Sequence, residues 1–384
     1  VRYSAVRKQG YAEDGVTEVQ ILDYKQQQHR IFPLLAASYC FFITGRKLWK
    51  NLKNIEHKLL ENKPVTKVEV ADVHASSSAL KSFTTTVAAD GIEECRKACG
   101  GHGFLACSGL PELINSYLQS PTVEGDNHML PQQVVKVLLK LVQAVQSNEG
   151  VDAYQSCDSY GLVPSLEAII HGGQEQCTAV DQTSLCDLPT LLLAFRHRAA
   201  RLLVVVAQQI NDDVMGGKSM QHAWNDALIA MARASRAYSI FLVIRDFCHG
   251  IQEEERTNLG PNEVEVMLDL AKLFALYWIE KDLGEFLEDG YLTSKQAKWV
   301  SPSVLQYLDK IRPNAVALVD ARDISDFRLK SALGRFDGDV YPHIMKAAEK
   351  DPLNAVDPGP GYDPALKLLV AGGVGVYSGT ASRL

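Results

Sequence analysis

The chain has 384 residues, 46% hydrophobic and 22% charged, the balance of a folded globular protein long enough for two sizeable cores. Its formal net charge of −7 excludes a general nucleic-acid binder, which presents a basic face. No uninterrupted apolar run reaches membrane-spanning length, because the best candidate, TLLLAFRHRAARLLVVVA, is cut by Arg196, His197, Arg198 and Arg201.

The sequence opens on VRYSAVRKQG, without Met and without a signal peptide, and is read as a piece of a longer protein. Residues 19–46 are rich in apolar side chains recurring at three and four, which predicts a helix. Residues 65–98 continue the helical pattern with many Ala, Ser and Thr, as expected of closely packed helices. Residues 130–147, LPQQVVKVLLKLVQAVQS, place Pro131 in a first helical turn ahead of an apolar stripe. Periodicity is lost over 148–188, read as a loop or linker. Helices are predicted near 189–211, 218–252 and 262–288, with shorter ones at 303–311, 313–322 and 339–349. Strand signals are nearly absent. The fold class is therefore all-α, two helical bundles, divided as 1–147, a 148–188 linker and 189–384.

Residues 95–130, CRKACGGHGFLACSGLPELINSYLQSPTVEGDNHML, hold the features that ask for chemistry. Cys95, Cys99, His102 and Cys107 lack the paired spacing of a zinc site, and the eight cysteines of so long a chain read as reduced thiols. Gly100 and Gly101 either end a helix in a plain turn or let backbone approach a phosphate closely. Glu124, set between Val123 and Gly125, is either a surface loop residue or a general base. A carboxylate serves as a base near neutral pH when burial against apolar surface raises its pKa. Asp126 and Asn127 suit a helix cap. The chain ends Ser382-Arg383-Leu384, a variant of the S-K-L peroxisomal address, after a stretch rich in small residues.

The segments GIEECRKACGGHGF, SPTVEGDN and SALGRFDGDVYPHIMKAAEKDPLN, with VRYSAVRKQ and ILDYKQQQHRIFPLLA before them, resemble the C-terminal half of peroxisomal acyl-CoA oxidases. The resemblance runs in order along nearly the whole chain. It implies a flavin-binding helical bundle followed by a second helical domain, without the N-terminal helical and β-domains of full-length members. It implies an FAD enzyme that desaturates a fatty acyl-CoA to the trans-2-enoyl-CoA and reduces oxygen to hydrogen peroxide, in peroxisomal fatty acid β-oxidation. On this resemblance Glu124 is the catalytic base, and Arg7, Gln28, Gly100, Gly101, His102 and Asp126 lie at the FAD. The implied partners are fatty acyl-CoA, oxygen, a second subunit in a homodimer or heterodimer, and the import receptor that reads Ser382-Arg383-Leu384. Lys25 departs from the family pattern, as does Arg7-Lys8-Gln9-Gly10 from Arg-x-x-Phe-Gly. Two rival readings are an acyl-CoA dehydrogenase and a catalytically silent helical dimerisation fragment.

Overall fold

A computed structural model describes residues 1–255 and 258–355. The tripeptide Ser382-Arg383-Leu384 lies outside the described residues. The chain begins with α1 (Arg2–Val6) and a two-stranded antiparallel hairpin, β1 (Lys8–Tyr11) and β2 (Glu18–Gln20). Asp14 builds the hairpin turn by accepting from the backbone N–H groups of Val16 and Thr17, each at 2.9 Å. It is the only sheet among the described residues, and everything after it is helical, as the sequence predicts.

The first bundle is α2 (Lys25–Leu60), α3 (Lys67–Ala98), α4 (Leu110–Tyr117) and α5 (Leu130–Ser147). The start of α3 is fixed by a reciprocal cap: Thr66 Oγ1 accepts from Glu69 N at 3.1 Å, and Glu69 accepts from Thr66 N at 2.9 Å. Its small residues do what the sequence predicts. Ala75, Ser76 and Ala79 are fully buried, and Ser239 Oγ from a neighbouring helix reaches the Ala79 carbonyl at 2.9 Å. The stripe on α5, Val134, Val135, Leu138, Leu141, Val142 and Val145, is buried as a unit.

Helix α2 runs well past the predicted 46, to Leu60, because Lys, Asn and Glu on its outer face keep a helical spacing after the core ends. By length and composition α2 could cross a membrane, as could one bent helix pair in the second half. That departs from the reading of the sequence, which judged uninterrupted runs. Ile31, Phe32, Leu35 and Cys40 of α2 are buried in the bundle.

The 148–188 segment carries α6 (Val163–Ile170), α7 (Gln182–Leu185) and shorter turns, and it is not free of the core. Leu162 and Leu166 are fully buried, and buried Asp72 accepts from the backbone N–H groups of Asp158 (2.7 Å) and Ser159 (3.1 Å). The second bundle contains α8 (Leu188–Met215), α9 (Met220–Asp226), α10 (Leu228–Glu255), α11 (Pro261–Lys281), α12 (Leu283–Leu287) and α13 (Ser294–Ile311). The helices predicted at 218–252 and 262–288 are each broken. The first bends by 58° between α9 and α10. The second breaks at Asp282, whose carboxylate is drawn to Arg198 (2.8 Å) and Arg236 (2.9 Å).

The last described elements are α14 (Ala315–Asp320), α15 (Asp326–Leu329) and α16 (Val340–Glu349). They return to the start of the chain. Arg2 donates to Asp320 at 2.8 Å and to the Gly334 carbonyl at 2.7 Å, while Tyr3 packs with Leu333 and Val340 in a small core of its own. This closure sets α1 against the end of α3.

Candidate functional site

Two loops carry most of the residues singled out from the sequence, one before α4 and one after it. The first is the tight turn Gly100–Phe104. Gly100 sits at φ +62°, a conformation that side chains disfavour, and Gly103 is held so close to α3 that a Cβ there would lie 2.1 Å from the Arg96 carbonyl oxygen. A Cβ at Gly100 or Gly101 would meet nothing within 4 Å, so this side of the turn is open.

His102 joins that turn to α1. Its Nδ1 lies 2.7 Å from Tyr3 Oη and 3.5 Å from Arg7 Nη1, and Arg7 Nη1 also donates to Tyr3 Oη at 2.7 Å. Burial raises the Tyr3 pKa, against the lowering effect of Arg7. The bond to Tyr3 in turn raises that of Arg7. Tyr341 of α16 presents its ring to His102, with centroids 6.3 Å apart at 69°. A guanidinium, an imidazole and an open glycine backbone on one edge form an anion-binding chemistry.

Gln28 is placed differently from the expectation. Its side chain is 2% exposed, donates to the Leu22 carbonyl at 3.0 Å and accepts from Lys25 Nζ at 3.3 Å. It is a core residue tying α2 to the turn before it, with one amide N–H and the amide oxygen engaged inside the chain. Lys25, which departs from the family pattern, pairs with Asp309.

The second loop presents Glu124. This residue is exposed and has φ +57°, in the left-handed region, where a residue with a side chain costs about 1–2 kcal/mol. Strain of that kind at a non-glycine residue is a pointer to function. The apolar enclosure expected from its neighbours is not supplied by the described residues, since Val123 is 46% exposed. What holds the loop is Asn127, whose amide donates to the Ser82 carbonyl (3.0 Å), Thr85 Oγ1 (2.9 Å) and Thr86 Oγ1 (2.8 Å) on α3. Lys81 closes the same anchor on the Gly125 carbonyl (2.5 Å) and Asn127 Oδ1 (2.8 Å). Neither residue makes the expected cap of α5, which starts after Met129 without a side-chain cap: Asp126 accepts from His128 N at 2.8 Å in the loop before it, and Asn127 is diverted to α3.

The structure brings Arg7 and His102 together through Tyr3, with Gly100 and Gly101 adjoining. Glu124 and Asp126 are in the other loop, the one that follows α4 in the chain. Two features escaped the reading of the sequence. Tyr3 is one helical turn before Arg7 in RYSAVR, a spacing that could have revealed it. The other is an apolar groove of about 270 Å³ between α2, α3 and α4, lined by Leu34, Phe41, Val87, Ile92, Leu110 and Leu113 among others.

Comparison with known proteins bears on this arrangement. A family model described as acyl-CoA oxidase, C-alpha1 domain, matches residues 1–139, and one described as acyl-CoA oxidase matches 187–371. The peroxisomal acyl-coenzyme A oxidase 1 of Arabidopsis thaliana is 37% identical over 372 residues, covering 95% of this chain and 52% of its own length. The solved structure of Arabidopsis thaliana acyl-CoA oxidase 1 superposes with a TM-score of 0.86 at 34% identity, over 97% of this chain and 54% of that one. Acyl-CoA oxidase-1 of Caenorhabditis elegans, solved in complex with FAD and ATP, gives a TM-score of 0.85 at 32% identity, over 97% of this chain and 54% of that one. The chain therefore spans about half the length of the curated relatives it matches.

Proposed function

We propose, because the chain belongs to the acyl-CoA oxidase family, that it is the C-terminal part of a peroxisomal, FAD-dependent acyl-CoA oxidase. The observation that carries the reading is that one domain match, residues 1–139, spans Arg7, the glycine turn and the strained Glu124 together. Residues 1–147 would be the flavin-binding bundle and 189–384 the second helical domain.

The residues present fit the phosphate side of FAD. Arg7 is a permanent cation, His102 a directional donor, and the open faces of Gly100 and Gly101 leave room for close approach. Asp126 is the further candidate, from the other loop. The bound flavin would accept the β-hydride of the acyl chain and pass its electrons to dioxygen, giving hydrogen peroxide. Glu124 would take the α-proton, leaving the trans-2-enoyl-CoA. Its apolar cover would come from the part of the subunit beyond this chain, with the phosphate-side residues serving a flavin shared between two subunits.

The test is peroxide release from a fatty acyl-CoA by the whole subunit with no acceptor other than oxygen. Peroxide in step with enoyl-CoA supports the oxidase. Enoyl-CoA formed only when an electron-accepting protein or dye is added would point to a dehydrogenase. No turnover in either case would leave the silent helical fragment as the better description.

A further inference from the structure

We infer that Tyr3 is a positioning residue for this anion-facing edge: it fixes His102 as the tautomer protonated on Nε2 and holds Arg7 beside it. The identity of the anion, the diphosphate of a flavin dinucleotide, rests on the reading above, whereas the tautomer does not.

The direction of donation follows from the chemistry of the three groups. A guanidinium has only donors, so in the 2.7 Å contact Arg7 Nη1 gives and Tyr3 Oη accepts. The phenol keeps one hydrogen to give. The ring nitrogen facing it is His102 Nδ1, also at 2.7 Å. Arg7 Nη1 approaches the same nitrogen at 3.5 Å and again can only present hydrogen. The guanidinium therefore requires Nδ1 to accept, and an accepting Nδ1 is what gives the phenol's own hydrogen a partner. A neutral imidazole that accepts at Nδ1 carries its proton at Nε2. The chain of donation runs from Arg7 to Tyr3 to His102. It leaves Nε2–H and the remaining guanidinium N–H groups for an anionic oxygen.

Tyr3 can impose this order because it is fixed from elsewhere. It is 3% exposed and packed with Leu333 and Val340, and its helix is pinned by Arg2 to Asp320 and Gly334. The last described elements of the chain thus set the geometry of a site at its beginning.

Long-range proton–nitrogen NMR spectra of the 15N-histidine-labelled 384-residue chain test the tautomer, with the His102 signals assigned by their loss in His102→Gln. The expected result is Nε2–H for His102, and a mixture of tautomers in Tyr3→Phe, which keeps the ring and its packing. Protonation at Nδ1 in the unsubstituted chain, or an unchanged pattern in Tyr3→Phe, overturns the inference. In the whole subunit, Tyr3→Phe is expected to weaken FAD binding about tenfold, as fits the loss of one charge-assisted contact. Unchanged affinity there also overturns it. An unchanged FAD affinity in Arg7→Ala would instead overturn the placing of FAD at this edge, and the tautomer experiment would still judge Tyr3.

Discussion

Asn127 donates to Thr85 Oγ1 at 2.9 Å, so the loop carrying Glu124 is anchored on the middle of α3. With the Ser82 carbonyl and Thr86 Oγ1 also within reach, the two N–H groups of one amide are shared among three acceptors on one face of a rigid helix. The strained backbone at Glu124 persists because the residues after it are held on this anchor.

Asn127→Ala is therefore expected to lower kcat of the whole subunit at least tenfold, at a cost of about 1–3 kcal/mol in stability for the unmet partners on α3. Denaturant unfolding and the peroxide assay read the two effects separately. A loss of stability with kcat unchanged would show that the anchor has no part in placing Glu124.

Glu124→Gln in the whole subunit is expected to retain FAD and to lose most turnover. Gln matches the shape of Glu but cannot take a proton. The absence of a general base costs on the order of 10²–10⁴-fold, so a decline of only a few-fold in kcat would remove Glu124 from the role.

What the sequence made legible is what local pattern controls. The stripe on α5 and the Ala/Ser face of α3 announce burial because their spacing is that of a helix packed on neighbours. The hairpin was missed although Asp14-Gly15 is a turn signal, because strands of three and four residues leave almost no alternation to read. The bend between α9 and α10 has no Pro or Gly to mark it. At the site, the glycine turn and Glu124 stand out by composition and by family resemblance. The inward turn of Gln28 and the diversion of Asn127 depend on which neighbour lies within reach, and that is a tertiary fact. Tyr3 lay between: its spacing from Arg7 was visible, but its partner His102 is 99 residues away.

Acid stability should show the cap of α3. Lys58 Nζ lies 2.5 Å from Glu69, and this bond, with that from Thr66 N, lowers the Glu69 pKa to about 2. Folding lowers the value, so the stabilisation is complete above the unfolded-state pKa of about 4.3 and is lost as the pH falls through the folded one. Glu69→Gln keeps a side chain able to reach Thr66 N but does not ionise. Its unfolding free energy is expected to fall below that of the unsubstituted chain at pH 7, with the gap closing between about pH 4.5 and 2. Parallel curves over that range would exclude Glu69 as the source.

Removing Ser382-Arg383-Leu384 is expected to leave activity intact and to strand the protein in the cytosol, because such a tripeptide is an address and not an anchor. The measurement is the distribution of the tagged whole subunit in cells with no intact partner to carry it. Peroxisomal import without the tripeptide would place the signal elsewhere.

The 384-residue chain by itself is expected to bind FAD weakly or not at all and to form no peroxide. Arg7, His102 and the glycine turn offer polar contacts to a diphosphate, but the edge is open to water, and solvent competes for each of them. Among the described residues no apolar wall encloses Glu124, so an acyl thioester placed there would remain hydrated. Folding does not share this dependence. The core that joins α2, α3, α5, α8, α10 and α11 is made of side chains within the chain, from Phe32 and Phe83 to Phe247 and Phe274. Calorimetric titration of FAD into the purified chain, alongside its thermal unfolding and a peroxide assay on a long-chain acyl-CoA, separates these claims. A cooperative unfolding transition with no flavin binding in the micromolar range is the expected pattern. Micromolar binding accompanied by peroxide release would mean that the site is complete within these 384 residues.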